Sequence, residues 1–189
     1  MIDKPILYNY FRSSTSVRVR IALNLKNIDY QYEALHLRKK DHQTDSYLKI
    51  NPYGLLPTLE FPSGIIINQS LAILEYLDEV YPNPSILPLN PIDRAKVRSM
   101  AYGIALEIHP LNNLHVLNHL KDDFMADDQT IKSWFSKWVH KAFGPFEKVL
   151  NSDEDVGLYC FGDEPTLALS LIHISEPTRP ERRGCAGVG

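Results

Sequence analysis

Apolar positions along the first eighty residues fall into short strand-length runs separated by stretches of helical period. Ile6-Leu7-Tyr8-Asn9-Tyr10 is a β-prone run opened by Pro5, where a strand can begin. Phe11 to Ser16 is a polar turn rich in hydroxyls. Val17, Ile21, Ala22 and Leu25 then recur at helical spacing with Arg18, Arg20 and Lys26 between them. Tyr30 to Leu37 alternates and predicts a second strand. Strand, helix and strand make a βαβ unit, with parallel strands and a right-handed crossover. A charged loop over Lys39 to Thr44 leads into a short helix from Asp45 that stops before Asn51-Pro52, because a residue preceding proline avoids the α region. Tyr53 to Phe61 and Ile65 to Ile67 flank the turn Pro62-Ser63-Gly64 and predict a β-hairpin. Asn68-Gln69-Ser70 opens a helix with Leu71, Ile73, Leu74 and Leu77 on one face, ended by Tyr81-Pro82.

Residues 81–91 hold Pro82, Pro84, Pro88 and Pro91 and form the best domain boundary. Beyond it the pattern is helical: one long amphipathic helix from Asp93 to Leu120, kinked at Pro110, and another from Asp127 to Leu150, bent or broken at Gly144-Pro145. The expected architecture is α/β plus all-α. An α/β domain spans 1–80, the linker 81–91 and a helical domain 92–168, followed by a tail at 169–189.

Composition narrows the function classes. The chain has 189 residues, of which 44% are hydrophobic and 23% charged, so it can bury a sizeable core. A net charge of −3 gives no global field for nucleic acid or anionic lipid. No apolar run is long enough to span a bilayer, and the N-terminus lacks a signal-peptide core. Two cysteines, Cys160 and Cys185, supply neither a disulfide framework nor a zinc site. The expected setting is cytoplasmic, without metal, nucleic acid or membrane partner.

Three places carry candidate chemistry. Pro57 enters a strand where it cannot donate to the ladder; a cis Leu56–Pro57 bond would expose the Leu56 backbone to a peptide ligand, and a trans bond would simply open an edge strand. Gln69-Ser70 at a helix start offers free N–H groups and a positive dipole end to a carboxylate, or else Ser70 is a simple N-cap. Ser13, Ser14 and Thr15 precede another helix, where hydroxyls can cap, bind an anion or stabilise a thiolate. Arg18, one turn on, either attracts substrate carboxylates or is an exposed helix charge, and His36 and His119 are expected to be solvated surface groups.

These sites, in this order, resemble the glutathione transferase superfamily. Phe11-Arg12-Ser13-Ser14-Thr15-Ser16-Val17-Arg18-Val19-Arg20 is similar to the zeta-class signature, Ser-Ser-Cys followed by an Arg-x-Arg helix. Asn51-Pro52 with Leu56-Pro57-Thr58-Leu59, Asn68-Gln69-Ser70-Leu71-Ala72-Ile73 and Ile108-His109-Pro110-Leu111-Asn112-Asn113-Leu114 extend the likeness over residues 4–168. The resemblance implies a thioredoxin-like, glutathione-binding N-terminal domain, a helical domain over a small-molecule substrate, and a homodimer. It implies glutathione-dependent cis–trans isomerisation of maleylacetoacetate to fumarylacetoacetate, late in tyrosine and phenylalanine breakdown. Ser13 would be the principal thiolate donor with Ser14 and Thr15 assisting. Gln69 and Ser70 would hold the γ-glutamyl end, and Leu56 before Pro57 would pair with the cysteinyl unit. His42 would meet the glycine end, and His109, Asn113 and His115 would reach in from the helical domain. Two other functions fit the same fold: a transferase acting on small α-halo acids, and a catalytically poor glutathione-fold binding module.

Two departures from the family stand out. Thr15 replaces the signature cysteine, keeping a hydroxyl but losing any thiol chemistry of the protein's own. At Thr166-Leu167-Ala168-Leu169 the family's Thr-x-x-Asp capping pattern lacks its acid. From Leu169 onward the sequence is unlike the family and reads as a frameshift or read-through, or as a short isoform, without the family's last helices and an arginine proposed there to bind substrate carboxylate. Disorder in that tail and lower stability than in a complete relative are the expectations.

Overall fold

The computed structural model describes residues 3–168, so the expected tail at 169–189 and Cys185 lie outside the described residues. Strand β1 (Ile6–Asn9) leads into helix α1 (Ser14–Leu25) and strand β2 (Gln31–Ala34). A one-turn helix α2 (Asp45–Leu48) precedes the hairpin β3 (Thr58–Glu60) and β4 (Ile66–Asn68), and helix α3 (Ser70–Val80) follows. The sheet order is β2-β1-β3-β4, with β1 and β2 parallel and both later pairings antiparallel. This is the thioredoxin-like arrangement.

The pleat sends successive side chains to opposite faces, which decides where the helices sit. Leu7 and Leu59, paired across β1 and β3, are fully buried with Val19 and Leu23 of α1 and Ile73, Leu74 and Leu77 of α3. Tyr8 and Thr58 pair on the other face, where Tyr47 of α2 packs against them. β2 is a shorter strand than Tyr30 to Leu37 and lies at the sheet edge, with Tyr32 exposed. The charged stretch before α2 winds into two 3-10 turns, Leu37–Lys39 and Asp41–Gln43.

Three further helices follow among the described residues: α4 (Pro91–Glu107), α5 (Leu114–Asp122) and α6 (Asp128–Ser152). Asn90 caps α4 through Ile92 N, with Pro91 in the first turn where its missing N–H costs nothing. α4 buries Val97, Met100, Ala101, Ile104 and Ala105, a helical stripe continuous with the core against the sheet. The single long helix expected from Asp93 to Leu120 is instead two, broken over residues 108–113. The tail of this break is held by α6, whose Trp134 Nε1 donates to Leu111 O and whose Phe135 O accepts from Asn112 Nδ2. Of the bend or break expected at Gly144-Pro145, the break does not occur: α6 is continuous through Pro145. A proline there removes one intrahelical bond. Phe143, Phe146, Val139 and Leu150 around it pack on the core and offset that loss.

Residues between α3 and α4 are fastened by a buried charge. Lys26 at the end of α1 donates from Nζ to Asp78 Oδ1 (2.9 Å), Tyr81 O (2.6 Å) and Pro84 O (2.8 Å), using all three ammonium protons. Asp78 also accepts from Ile86 N at 2.8 Å. Ile86 and Leu87 are thereby seated in the core, and Ile86 O accepts from Leu167 N. Among the described residues, no helix is long and apolar enough to cross a membrane.

Candidate functional site

Helix α1 starts one turn earlier than periodicity suggests: it begins at Ser14, so Ser14 and Thr15 lie in its first turn rather than before it, and Ser13 is the N-cap, accepting from Ser16 N at 3.3 Å. Thr15 Oγ1 donates to Leu56 O at 3.1 Å and lies 2.7 Å from Ser13 Oγ. A hydroxyl carries one proton, so with Thr15 committed to Leu56 the Ser13 proton goes to Thr15. The order is Ser16 N–H to Ser13, Ser13 to Thr15, and Thr15 to Leu56. Ser14 Oγ has no partner among the described residues, and the first N–H groups of α1 lack intrahelical acceptors, as at any helix start. Capping thus explains Ser13 and leaves Ser14 and the helix N-terminus available to an anion.

The Leu56–Pro57 bond is cis. Leu56 is half-buried, and its N–H has no partner among the described residues. Side chains that sequence reasoning passed over hold this loop. Asn51 Nδ2 donates to Leu55 O (2.9 Å) and Thr58 Oγ1 (3.0 Å), while its Oδ1 accepts from Tyr53 N (3.1 Å) and Asn68 Nδ2 (3.2 Å). Tyr47 Oη donates to Leu55 O at 2.7 Å, and burial pushes its pKa up. Gln43 Nε2 donates to Gly54 O at 2.9 Å, and a Cβ on Gly54, whose φ is +58°, would lie 2.5 Å from that nitrogen. In the sequence Asn51-Pro52 marks a helix stop and part of the family likeness but not this framework role, and nothing in the spacing flags Tyr47 or Gln43.

Ser70 is not a simple N-cap. Gln69 occupies that position with φ +69° and makes no side-chain capping bond, and Ser70 is the first helical residue. Ser70 Oγ instead accepts from Arg18 Nη1 at 3.2 Å. Arg18 is correspondingly not an exposed helix charge: it is 2% exposed, and burial draws its pKa down to about 9. Both ends of the candidate site are thus helix N-termini, α1 with free hydroxyl and amide donors and α3 with a buried cation behind its serine.

His109, just past α4, brings the helical part to this end of the sheet. Its Nε2 is enclosed without a partner, and burial followed by the Arg18 charge lowers its pKa to about 3. His42 is half-buried, and its Nδ1 is enclosed without a partner. Burial lowers its pKa against the opposing pull of Asp41. Asn113 and His115 are exposed at the start of α5. His119 is exposed beside Asp123, as expected, but His36 is half-buried with its ring 5.1 Å from Tyr10 and its Nδ1 enclosed.

The depressed pKa of His109 has a consequence for stability. The unfolded ring takes up a proton near 6.5 and the folded ring only near 3, so its contribution is complete above pH 6.5 and declines as pH falls toward 3. Acidification from pH 7 to 5 should therefore cost the protein on the order of 1–2 kcal/mol through this ring. Urea unfolding of His109→Gln should show a smaller loss over the same interval, and equal losses in the two proteins would refute the assignment.

Residues 12–80 match the family model for the glutathione S-transferase N-terminal domain. A maleylpyruvate isomerase from a Ralstonia species is 44% identical over 162 residues, covering 86% of this chain and 76% of the relative. Among solved structures, the holo form of a maleylpyruvate isomerase, described as a bacterial zeta-class glutathione S-transferase, superposes with a TM-score of 0.86. It is 42% identical and covers 88% of this chain and 78% of its own. A maleylacetoacetate isomerase from Methylobacterium extorquens with bound malonate and glutathione superposes with a TM-score of 0.85 at 34% identity, with the same coverage.

Proposed function

Since the chain belongs to the zeta class of glutathione S-transferases, we propose that it is a glutathione-dependent isomerase that turns maleylacetoacetate into fumarylacetoacetate, within tyrosine and phenylalanine breakdown. The observation that carries this is the convergence of three peptide-binding features: the α1 N-terminus with its hydroxyls, the free Leu56 N–H before a cis proline, and Ser70 backed by Arg18. The orphaned nitrogens of His42 and His109 supply further polar atoms suited to a tripeptide.

Glutathione would supply the thiol, which adds to the activated cis double bond, permits rotation about the resulting single bond, and leaves. The chain's own residues position and polarise. A free thiol has a pKa near 8.5 and is a weak nucleophile at neutral pH. Ser13 and Ser14 are the donors assigned to the sulfur, and Thr15, whose own proton is held by Leu56 O, assists by orienting Ser13. Ser14 has its proton free in this arrangement, whereas Ser13 reaches the sulfur by turning its proton from Thr15. The α1 dipole adds to the same stabilisation. Leu56 pairs with the peptide backbone, Pro57 fixes that turn, and Gln69 and Ser70 take the γ-glutamyl end. His42 takes the glycine end, with His109, Asn113 and His115 closing from the helical side. On the same reading the protein is a cytoplasmic homodimer, supported by its likeness to the family and tested by its mass in solution.

Turnover of maleylacetoacetate should depend on added glutathione. Ser14→Ala should lower kcat roughly tenfold to a hundredfold, since a hydrogen bond to a charged group contributes about 1.5–3 kcal/mol, while raising the pKa of bound glutathione read from thiolate absorbance. No glutathione-dependent turnover would overturn the activity. Turnover with an unshifted thiol pKa in Ser14→Ala would overturn the role of that serine.

A further inference from the structure

Two buried cations of this chain are treated in opposite ways. Lys26 has every proton matched and a carboxylate beside it. Arg18, equally buried, makes one hydrogen bond, to Ser70 Oγ, and its Nε and Nη2 have no acceptor among the described residues. No carboxylate among the described residues forms an ion pair with it. A buried charge left without a counter-ion is costly, and the cost is sustained where the charge serves a ligand. Its position says which part of the ligand. Ser70 opens α3, an eleven-residue helix whose N-cap, Gln69, gives its amides no side-chain acceptor. The Arg18 N–H takes one lone pair of the Ser70 oxygen, and Arg18 cannot accept in return. The Ser70 proton is therefore directed away from Arg18.

We propose that Arg18 is a positioning residue for the anionic end of the ligand: it fixes Ser70 as a hydrogen-bond donor and sets an uncompensated positive charge behind the α3 N-terminus, so that the site selects a carboxylate over a neutral group. This rests on the glutathione reading above, where that carboxylate is the α-carboxylate of the γ-glutamyl residue. Arg18 itself stays buried and acts through Ser70. Its charge also lies against His109 and opposes protonation of that ring, so one guanidinium polarises both sides of the junction between sheet and helices.

The test compares glutathione with its analogue in which the γ-glutamyl α-carboxylate is a carboxamide. Both are titrated calorimetrically into the wild type, Arg18→Met and Arg18→Lys, and thermal unfolding is recorded without ligand. The wild type should prefer the acid by about tenfold or more, the range of a hydrogen bond to a charged group. Arg18→Met should bring that preference close to unity while unfolding at the same or a higher temperature, because a costly charge has been removed. Arg18→Lys should restore most of the preference. An Arg18→Met protein that fails to fold, melts lower while weakening both ligands alike, or keeps the wild-type preference would overturn the proposal and leave Arg18 a structural residue. A wild type that binds neither compound would overturn the glutathione reading itself, a result distinct from those.

Discussion

Replacing Lys26 by methionine is expected to lower the free energy of unfolding by about 3–5 kcal/mol, a large share of the roughly 5–15 kcal/mol that holds a domain folded. The side chain of Lys26 is fully enclosed and that of Asp78 nearly so. Removing the ammonium leaves a buried carboxylate without its cation and strips Tyr81 O and Pro84 O of their donor at one stroke. The bonds that remain, from Ile86 N to Asp78 Oδ1 and from Ser85 Oγ to Asp78 Oδ2, do not replace a cation beside a charge in a low-dielectric site. The damage should spread to the segment between α3 and α4, since Ile86 and Leu87 are seated in the core and Ile86 O holds Leu167 N. Urea titration reads the loss directly. Adding Asp78→Leu to Lys26→Met should recover part of it, because both charges are then gone. A loss under about 1 kcal/mol in the single variant would show that water reaches Asp78 and that the clamp is incidental.

The regular elements were legible because their burial follows one period. Ile73, Leu74 and Leu77 mark α3, and Val97, Met100, Ala101 and Ile104 mark α4, whatever surrounds them. Prolines were not legible in the same way. Pro110 and Pro145 carry the same local signal, yet the chain is broken over 108–113 and helical through 145. Tertiary contacts decide between them: Trp134 and Phe135 hold the broken segment, whereas Phe143 and Phe146 keep α6 on the core.

The site divides along the same line. Ser13, Ser14, Leu56-Pro57 and Gln69-Ser70 stand out as candidates because a helix start and an X–Pro step are local features. For Arg18 the sequence leaves an exposed helix charge as an alternative, because charge usually marks surface and its partner Ser70 is 52 residues away. Asn51 and Tyr47 act on the backbone of Leu55 through folds of the chain that no period records. Framework side chains of this kind become visible only when their acceptors are known.

Asn51→Ala is the second substitution expected to have a large effect, about 3 kcal/mol in stability, and its reach extends to the ligand. Asn51 is fully buried with every donor and acceptor of its amide engaged. Truncation leaves Tyr53 N and Asn68 Nδ2 without that acceptor and removes one of the two donors to Leu55 O, and each buried polar group left unsatisfied costs about 1–3 kcal/mol. It also breaks the relay that runs from Asn51 Nδ2 through Thr58 and Tyr47 to Leu55. There Tyr47 gives its one proton to Leu55 O and so accepts from Thr58. Leu56 follows directly, so its free N–H should lose its fixed direction and glutathione should bind more weakly than the stability loss alone explains. Asn51→Asp separates the contributions. Its carboxylate keeps the acceptor toward Tyr53 N and Asn68 Nδ2, but it turns an oxygen toward Leu55 O and Thr58 Oγ1, where a donor is required. Asn51→Asp should therefore cost at least as much as Asn51→Ala despite its matching shape. Urea unfolding and glutathione calorimetry on both variants measure this. An Asn51→Asp protein within about 1 kcal/mol of wild type, with unchanged glutathione affinity, would mean that Tyr47 alone holds the loop.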